Sequence, residues 1–492
     1  MQADPLTLLH VVNSYAGLPE GFYTRLQPQP LASARLLHAN PEVGRLLGLS
    51  EAALHTQAFL DLCAGRRGLP GGQTIATVYS GHQFGVWAGQ LGDGRAHLLG
   101  EITGPGGNWE LQLKGSGLTP YSRMGDGRAV VRSSVREYLA SEAMAGLGIP
   151  TTRALALVVS DEPVRRETLE RAAIVARVAP SFVRFGNFEH WSGQPAPMRA
   201  LLDYVVDRYY PQCRVEHDDP DQALARTALN LLGEVAQRSA RLVAQWQTVG
   251  FCHGVMNTDN MSILGLTLDY GPYGFMDAFQ AGHICNHTDT QGRYAWNAQP
   301  SVMYWNLYRL AESLSTLGAP AEALRDVLRG FEADFLQAYH DSLISKFGWR
   351  SWLDGDDELV DDWWHLLHTQ QADFTLSFRL LAQAPAQPQA FLALFSDPQA
   401  ASAWLERYRA RLGRDGLPDA QRISQMLGAN PLYVLRNHLA QVAIEAAQRG
   451  DASEIQTLLM LLRDPYTERP GYASYAATAP DWARDLAVSC SS

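Results

Sequence analysis

The stretch that most limits how this chain can fold runs from Phe251 to Phe279. Within it, His253-Gly-Val-Met-Asn-Thr-Asp-Asn260 is followed by two short apolar-alternating runs, Met261-Ser-Ile-Leu264 and Leu266-Thr-Leu268, around a single glycine, and then by Asp269-Tyr-Gly271. This pattern predicts a polar loop, a tight β-hairpin and a second, acidic loop. Such a hairpin brings Asn260 and Asp269 together. Both offer hard oxygen ligands of the kind that hold Mg²⁺ beside a nucleoside triphosphate.

This layout resembles the catalytic and metal-binding loops of protein kinases, with Asp269-Tyr-Gly271 where kinases carry Asp-Phe-Gly. One departure is informative. The third residue of the kinase catalytic loop is an aspartate that accepts the substrate's proton, and here it is Val255. The nearby carboxylate is Asp259, next to Asn260. The proton acceptor is therefore misplaced for phosphoryl transfer.

The segments before this stretch supply the rest of a nucleotide site. From about Thr77 the chain changes to strand-like runs and glycines. Gly89, Gly92 and Gly94 suit close backbone approach to phosphates, with Arg95 adding charge, although a plain glycine-rich hairpin fits equally well. Trp109-Glu-Leu-Gln-Leu-Lys114 alternates as a strand should. Ser133 to Gly148 reads as a helix with Ser133 or Ser134 as its N-cap. A strand lysine paired with a helix glutamate orients phosphates in kinases. Lys114 fits the first role, and Glu137 or Glu142 the second. Between them, Ser122 to Arg128 forms a further loop whose Asp126 and Gly127 can shape the pocket. Arg153–Val159 and Ala173–Val178 read as strands completing a small antiparallel sheet of about five. Arg177 and Arg184, near the end of the second, are natural partners for phosphate oxygens or for surface carboxylates.

The order of these parts predicts an α+β, protein-kinase-like two-lobed fold. Residues 1–75 form an N-terminal extension, with helix-like apolar spacing over Leu31–Leu49. Residues 76–190 form the N-lobe, 191–480 a mainly helical C-lobe, and 481–492 a tail containing Cys490. Helical periodicity over Leu201–Tyr209 and Ala223–Gly250 leads directly into the polar loop. His283, Cys285 and His287 alternate in a polar, activation-segment-like run, but match no usual zinc spacing.

Bulk properties narrow the class of function. A net charge of −11 argues against non-specific binding to nucleic acid, which needs a basic surface. Five dispersed cysteines without a C-x-x-C indicate a reducing compartment. The first residues lack a basic, apolar leader, and no apolar run reaches the ~18 to 20 residues of a membrane span. The expectation is a soluble, cytoplasmic monomer with neither membrane nor nucleic-acid partners.

Four longer runs sharpen the reading: Tyr79–Gly85, Gln112–Arg123, His253–Asn260 and Leu268–Pro272. Together they resemble the selenoprotein O family over nearly the whole chain, and the ending Cys490-Ser-Ser492 resembles the family's too. The resemblance implies a pseudokinase that binds ATP in a flipped orientation and transfers AMP to Ser, Thr or Tyr hydroxyls of other proteins. It implies Asp259 as proton acceptor and Asn260 and Asp269 as ligands of Mg²⁺. Lys114, supported by Glu137, then holds the phosphates with Arg177 and Arg184, while Gly92, Gly94, Arg95, Asp126, Gly127 and Asp269 contact the nucleotide. Transfer of UMP from UTP with Mn²⁺ is one alternative, and an inactive nucleotide-binding scaffold is another. Cys285 and Cys490 are candidates for a reversible disulfide linking activity to redox state, against the alternative of two unrelated thiols.

Overall fold

The alternation in Trp109–Lys114 has a direct structural outcome. Leu111 and Leu113 point into one buried apolar cluster, while Gln112 and Lys114 face the opposite side of the sheet. The computed structural model describes residues 4–483 and Leu486. Among the described residues, ten strands form one antiparallel sheet. They are β1 (His10–Val12), β2 (Tyr23–Arg25), β3 (Arg35–Ala39), β4 (Ile75–Gln83), β5 (Val86–Gly92), β6 (Ala96–Gly104), β7 (Gly107–Lys114), β8 (Ala129–Val130), β9 (Arg153–Arg165) and β10 (Leu169–Ala179). The main path is β2-β4-β6-β7-β10-β9-β3; β1 joins β6, β5 joins β4 and β8 joins β10. The sheet is thus larger than the five strands expected. The difference includes β1, β2 and β3, which pair with β6, β4 and β9.

The helix-like spacing over Leu31–Leu49 resolves into two elements. Arg35–Ala39 is strand β3. Only Pro41–Leu46, in the second half, is helical, opened by Pro41 and capped by Asn40, which accepts from the N–H groups of Glu42 and Val43. The helix Val131–Gly146 also differs from expectation at its start. It begins straight out of β8 with Val130 at the cap position, so Ser133 and Ser134 lie in its first turn. Val135 and Leu139 pack this helix onto the sheet. At its other end Gly146 lets Leu462 approach: a Cβ there would fall 1.9 Å from the Leu462 carbonyl oxygen.

After residue 180 the chain is mainly helical, which makes the architecture α+β. The helix Pro220–Thr248, capped by Asp219, packs against Ala321–Phe347 and delivers the chain to Phe251–Cys252, a short strand paired with Gly274–Phe275. One large core cluster runs from Tyr15 to Leu462 and joins sheet to helices. A second, aromatic one surrounds Phe347, Trp363, Trp404 and Tyr408. No helix among the described residues is long and apolar enough to cross a membrane.

The hairpin expected over 261–268 is reduced to a turn. Gly265 (φ +70°) supplies the reversal, but only Met261 and Thr267 bridge directly. Ser262 bridges Arg184, and Thr267 bridges Thr151. Each arm therefore spends its backbone groups on a different neighbour. Asn260 and Asp269 still both line one recess.

Candidate active site

Because Lys114 and Gln112 share one face of β7, strand pairing fixes what they meet. In the register, Gln112 lies opposite Arg177 of β10 and Lys114 opposite Val175. Gln112 Oε1 accepts from Arg177 Nε (2.9 Å) and Nη2 (2.7 Å). The helix Val131–Gly146 crosses this face and adds Glu137. Its carboxylate takes Lys114 Nζ at 2.6 Å and Arg177 Nη1 at 2.8 Å. Asp269 completes the cluster: its Oδ1 accepts from Lys114 and, at 3.1 Å, from Arg177. Two cations and two carboxylates thus balance inside the fold. Burial works to raise the Asp269 pKa, but Lys114 and then Arg177 hold it well below the usual carboxylate range. The alternative helix carboxylate, Glu142, faces away and binds Arg153 through two 2.8 Å hydrogen bonds.

Asp259 sits beside this cluster in one turn of 3₁₀ helix, Thr258–Asn260. Its Oδ2 accepts from Gln83 Nε2 at 3.2 Å, and its carbonyl accepts from Arg184 Nη1 at 2.6 Å. Its Oδ1 is buried and has no hydrogen-bond partner. Burial pushes the Asp259 carboxyl up to about 6 against the pull of Arg184. The Arg184 guanidinium lies over the Tyr79 ring, 4.6 Å from its centroid. Asn260 donates its amide to the Val255 carbonyl at 3.0 Å.

These groups open on a cleft of about 820 Å³, lined also by Gly92, Gly94, Arg95, Asp126 and Gly127. An adjoining recess of about 380 Å³ contains Val255, Asn257 and Asn260. The glycines have a packing reason of their own. A Cβ on Gly92 (φ +148°) would fall 2.5 Å from the Tyr121 ring, and one on Gly94 2.9 Å from the Tyr121 carbonyl oxygen. The two loops are tied by Thr119 Oγ1 donating to Asp93 O at 2.7 Å and by Ser122 donating to Gly94. Asp126 pairs with Arg166 (2.7 Å) at the cleft edge.

Among the described residues no group of three or more His, Cys, Asp or Glu side chains is arranged to hold a metal ion. The donors present are the amide oxygen of Asn260 and the Asp269 carboxylate. Two hard oxygens facing a polar recess fit a cation that takes its remaining ligands from phosphates and water. Cys285 is half-buried, with its thiol donating to the Cys252 carbonyl at 3.4 Å, and burial raises its pKa. Cys490 lies outside the described residues.

The sequence reading did not single out Gln83, Gln112, Tyr121 or Arg166. Gln83, Gln112 and Tyr121 fall within the family-like runs, which are the available signal. Nothing in the sequence marks Arg166, whose pairing depends on the β9–β10 turn.

A family model described as Protein adenylyltransferase SelO matches residues 5–463. The chain belongs to the SelO family. Among its relatives, a protein of Bordetella avium is 64% identical over all of both chains. One of Ralstonia nicotianae is 52% identical, covering 98% of this chain and 96% of its own. One of Dechloromonas aromatica is 51% identical, covering 98% and 97%. Each of the three is named protein nucleotidyltransferase YdiU. SelO membership makes this chain a nucleotidyltransferase.

Proposed function

We propose that the chain is a protein adenylyltransferase that moves AMP from ATP to Ser, Thr or Tyr hydroxyls of other proteins. In this reading the frame is kinase-like and two-lobed, with 76–190 as N-lobe, 191–480 as C-lobe, and 1–75 and 481–492 as extensions. The supporting observation is Asp259: a buried carboxylate with one unpartnered oxygen, beside a cationic phosphate cradle, while Val255 occupies the kinase base position. ATP lies flipped, so that its α-phosphate reaches Asp259. Lys114, Arg177 and Arg184 offset the negative charge of the phosphates, and Arg95, Asp126 and the glycines border the nucleotide. The acceptor hydroxyl loses its proton to Asp259 Oδ1 while its oxygen forms a bond to Pα. The bond from Pα to the bridging oxygen of the β-phosphate breaks, and pyrophosphate leaves. A raised proton affinity suits Asp259 to this step near neutral pH. Asn260 and Asp269 would hold Mg²⁺, which supplies charge neutralisation at the phosphates when bound.

The broader wording carried by the relatives, nucleotidyltransferase, leaves room for one second reading: UMP transfer from UTP with Mn²⁺. The deciding experiment offers ATP labelled at the α- or the γ-phosphate to a generic acceptor protein, with Mg²⁺ and reductant. Label should enter protein from the α-position alone. Entry from the γ-position would mean a kinase, and no entry from either with transfer from UTP would mean uridylylation.

A reversible Cys285–Cys490 disulfide restraining the segment after Phe279 belongs to the same proposal. Alkylation of the oxidised enzyme should leave both thiols blocked only after reduction. Two thiols free before reduction would remove this element.

A further inference from the structure

Asp259 has only a single helical turn for support, so something outside that turn must hold its carboxylate in place. Two glycines press against it from opposite elements. A Cβ on Gly81 of β4 would lie 2.9 Å from Thr258 Oγ1 and 3.2 Å from Asp259 Cβ. One on Gly186, in the helix Phe185–His190, would lie 3.3 Å from Asp259 Cα. Between these walls runs a buried polar chain. Thr258 Oγ1 donates to Glu189 Oε2 at 2.5 Å and accepts from the His82 backbone N–H at 2.8 Å. The other Glu189 oxygen lies 2.8 Å from His82 Nδ1. Thr258 is fully buried and Glu189 is 4% exposed. None of the three lines the cleft or its recess.

We propose that Glu189, acting through Thr258 and together with His82, is the positioning residue that aims Asp259 at the acceptor hydroxyl. This rests on Asp259 being the proton acceptor. A carboxylate–hydroxyl hydrogen bond in a buried site is strong and directional. Here it ends on the residue immediately before Asp259, and both Glu189 oxygens are engaged. Glu189 therefore fixes the turn that carries Asp259 without touching the nucleotide's cleft. Its removal should change the rate of transfer and not the binding of ATP. His82 in turn packs edge-on against Trp87 and Trp305, which sets the imidazole that holds Glu189.

The test compares Thr258→Val, which keeps the shape and removes the hydroxyl, with Thr258→Ser, which keeps the hydroxyl. Glu189→Gln serves as an independent second variant, and Asp259→Asn runs beside them. Single-turnover AMP transfer to a generic acceptor protein is measured with ATP affinity from equilibrium dialysis. Thr258→Val and Glu189→Gln should slow transfer by about 10- to 100-fold with ATP affinity within about twofold of wild type. Thr258→Ser should recover to within about threefold. Wild-type transfer in Thr258→Val or Glu189→Gln, with Asp259→Asn inactive, would overturn this inference alone. So would a loss of ATP affinity in proportion to the loss of rate, which is what a purely structural role produces. Wild-type transfer in Asp259→Asn would overturn the role of Asp259 and this inference with it.

Discussion

Asp269→Asn is expected to lower nucleotidyl transfer by about 10³-fold while leaving ATP binding intact. The substitution keeps the side chain's volume but removes its charge and half of its oxygen ligands. Lys114 and Arg177 then retain Glu137 as their shared ion-pair partner and carry less counter-charge, which favours an anionic ligand. The transferring phosphate loses the carboxylate that faces the recess with Asn260. Labelled transfer under single-turnover conditions, with ATP affinity measured in parallel, checks this. Equal losses in both would mean that Asp269 serves binding alone. Stability should fall by about 1–3 kcal/mol, because two buried cations lose a partner that is itself partly exposed.

The second large effect concerns the sheet. Glu110 of β7 is 2% exposed; its Oε2 accepts from the Phe182 N–H at 2.7 Å and its Oε1 has no partner. Burial pushes its carboxyl from an ordinary value of 4.5 up to about 8. The folded protein therefore keeps this proton until about pH 8, whereas the unfolded chain releases it near 4.5. Its stability contribution is fully present below the unfolded value and is lost as pH rises toward the folded one. Between pH 5 and 8 the loss is on the order of 3 kcal/mol. Glu110→Gln should remove that slope. Thermal melts across this range should show the variant gaining on the wild type as pH rises, and a constant difference would contradict the assignment.

How much of this was legible in the sequence depended on the distance over which each feature is decided. Strand β7 carries its own alternation and β9 and β10 their own apolar runs, and Lys114, Arg177 and Asp269 could be assembled from the order of motifs. Glu137 and Glu142 could not be told apart, because both lie on one helix and the choice is made by Arg153 on the next strand. Strands β1 and β2 are three residues long, too short for alternation to register, and pair with partners fifty or more residues away. The 261–268 hairpin failed for a related reason: Thr151 and Arg184 take backbone positions that local pattern assigns to the opposing arm. Gly92 and Gly94 read as phosphate-binding residues, yet Tyr121 also demands them. The chain from His82 through Glu189 to Thr258 spans separations of 107 and 69 residues and left no local signal.

The contact of Gly81 and Gly186 with the Asp259 turn has a mechanical consequence. Sheet edge and Asp259 turn are stitched there by the His82–Thr258, Gln83–Asp259 and Phe84–Asn257 hydrogen bonds, and Arg184 adds one to Asp259 from the start of the helix Phe185–His190. Swinging the sheet away from the helices would tear this seam at every stitch. Under the proposed function, nucleotide and acceptor would enter by the mouth of the cleft, past residues 122–127, without parting Asp259 from the strand end that holds it.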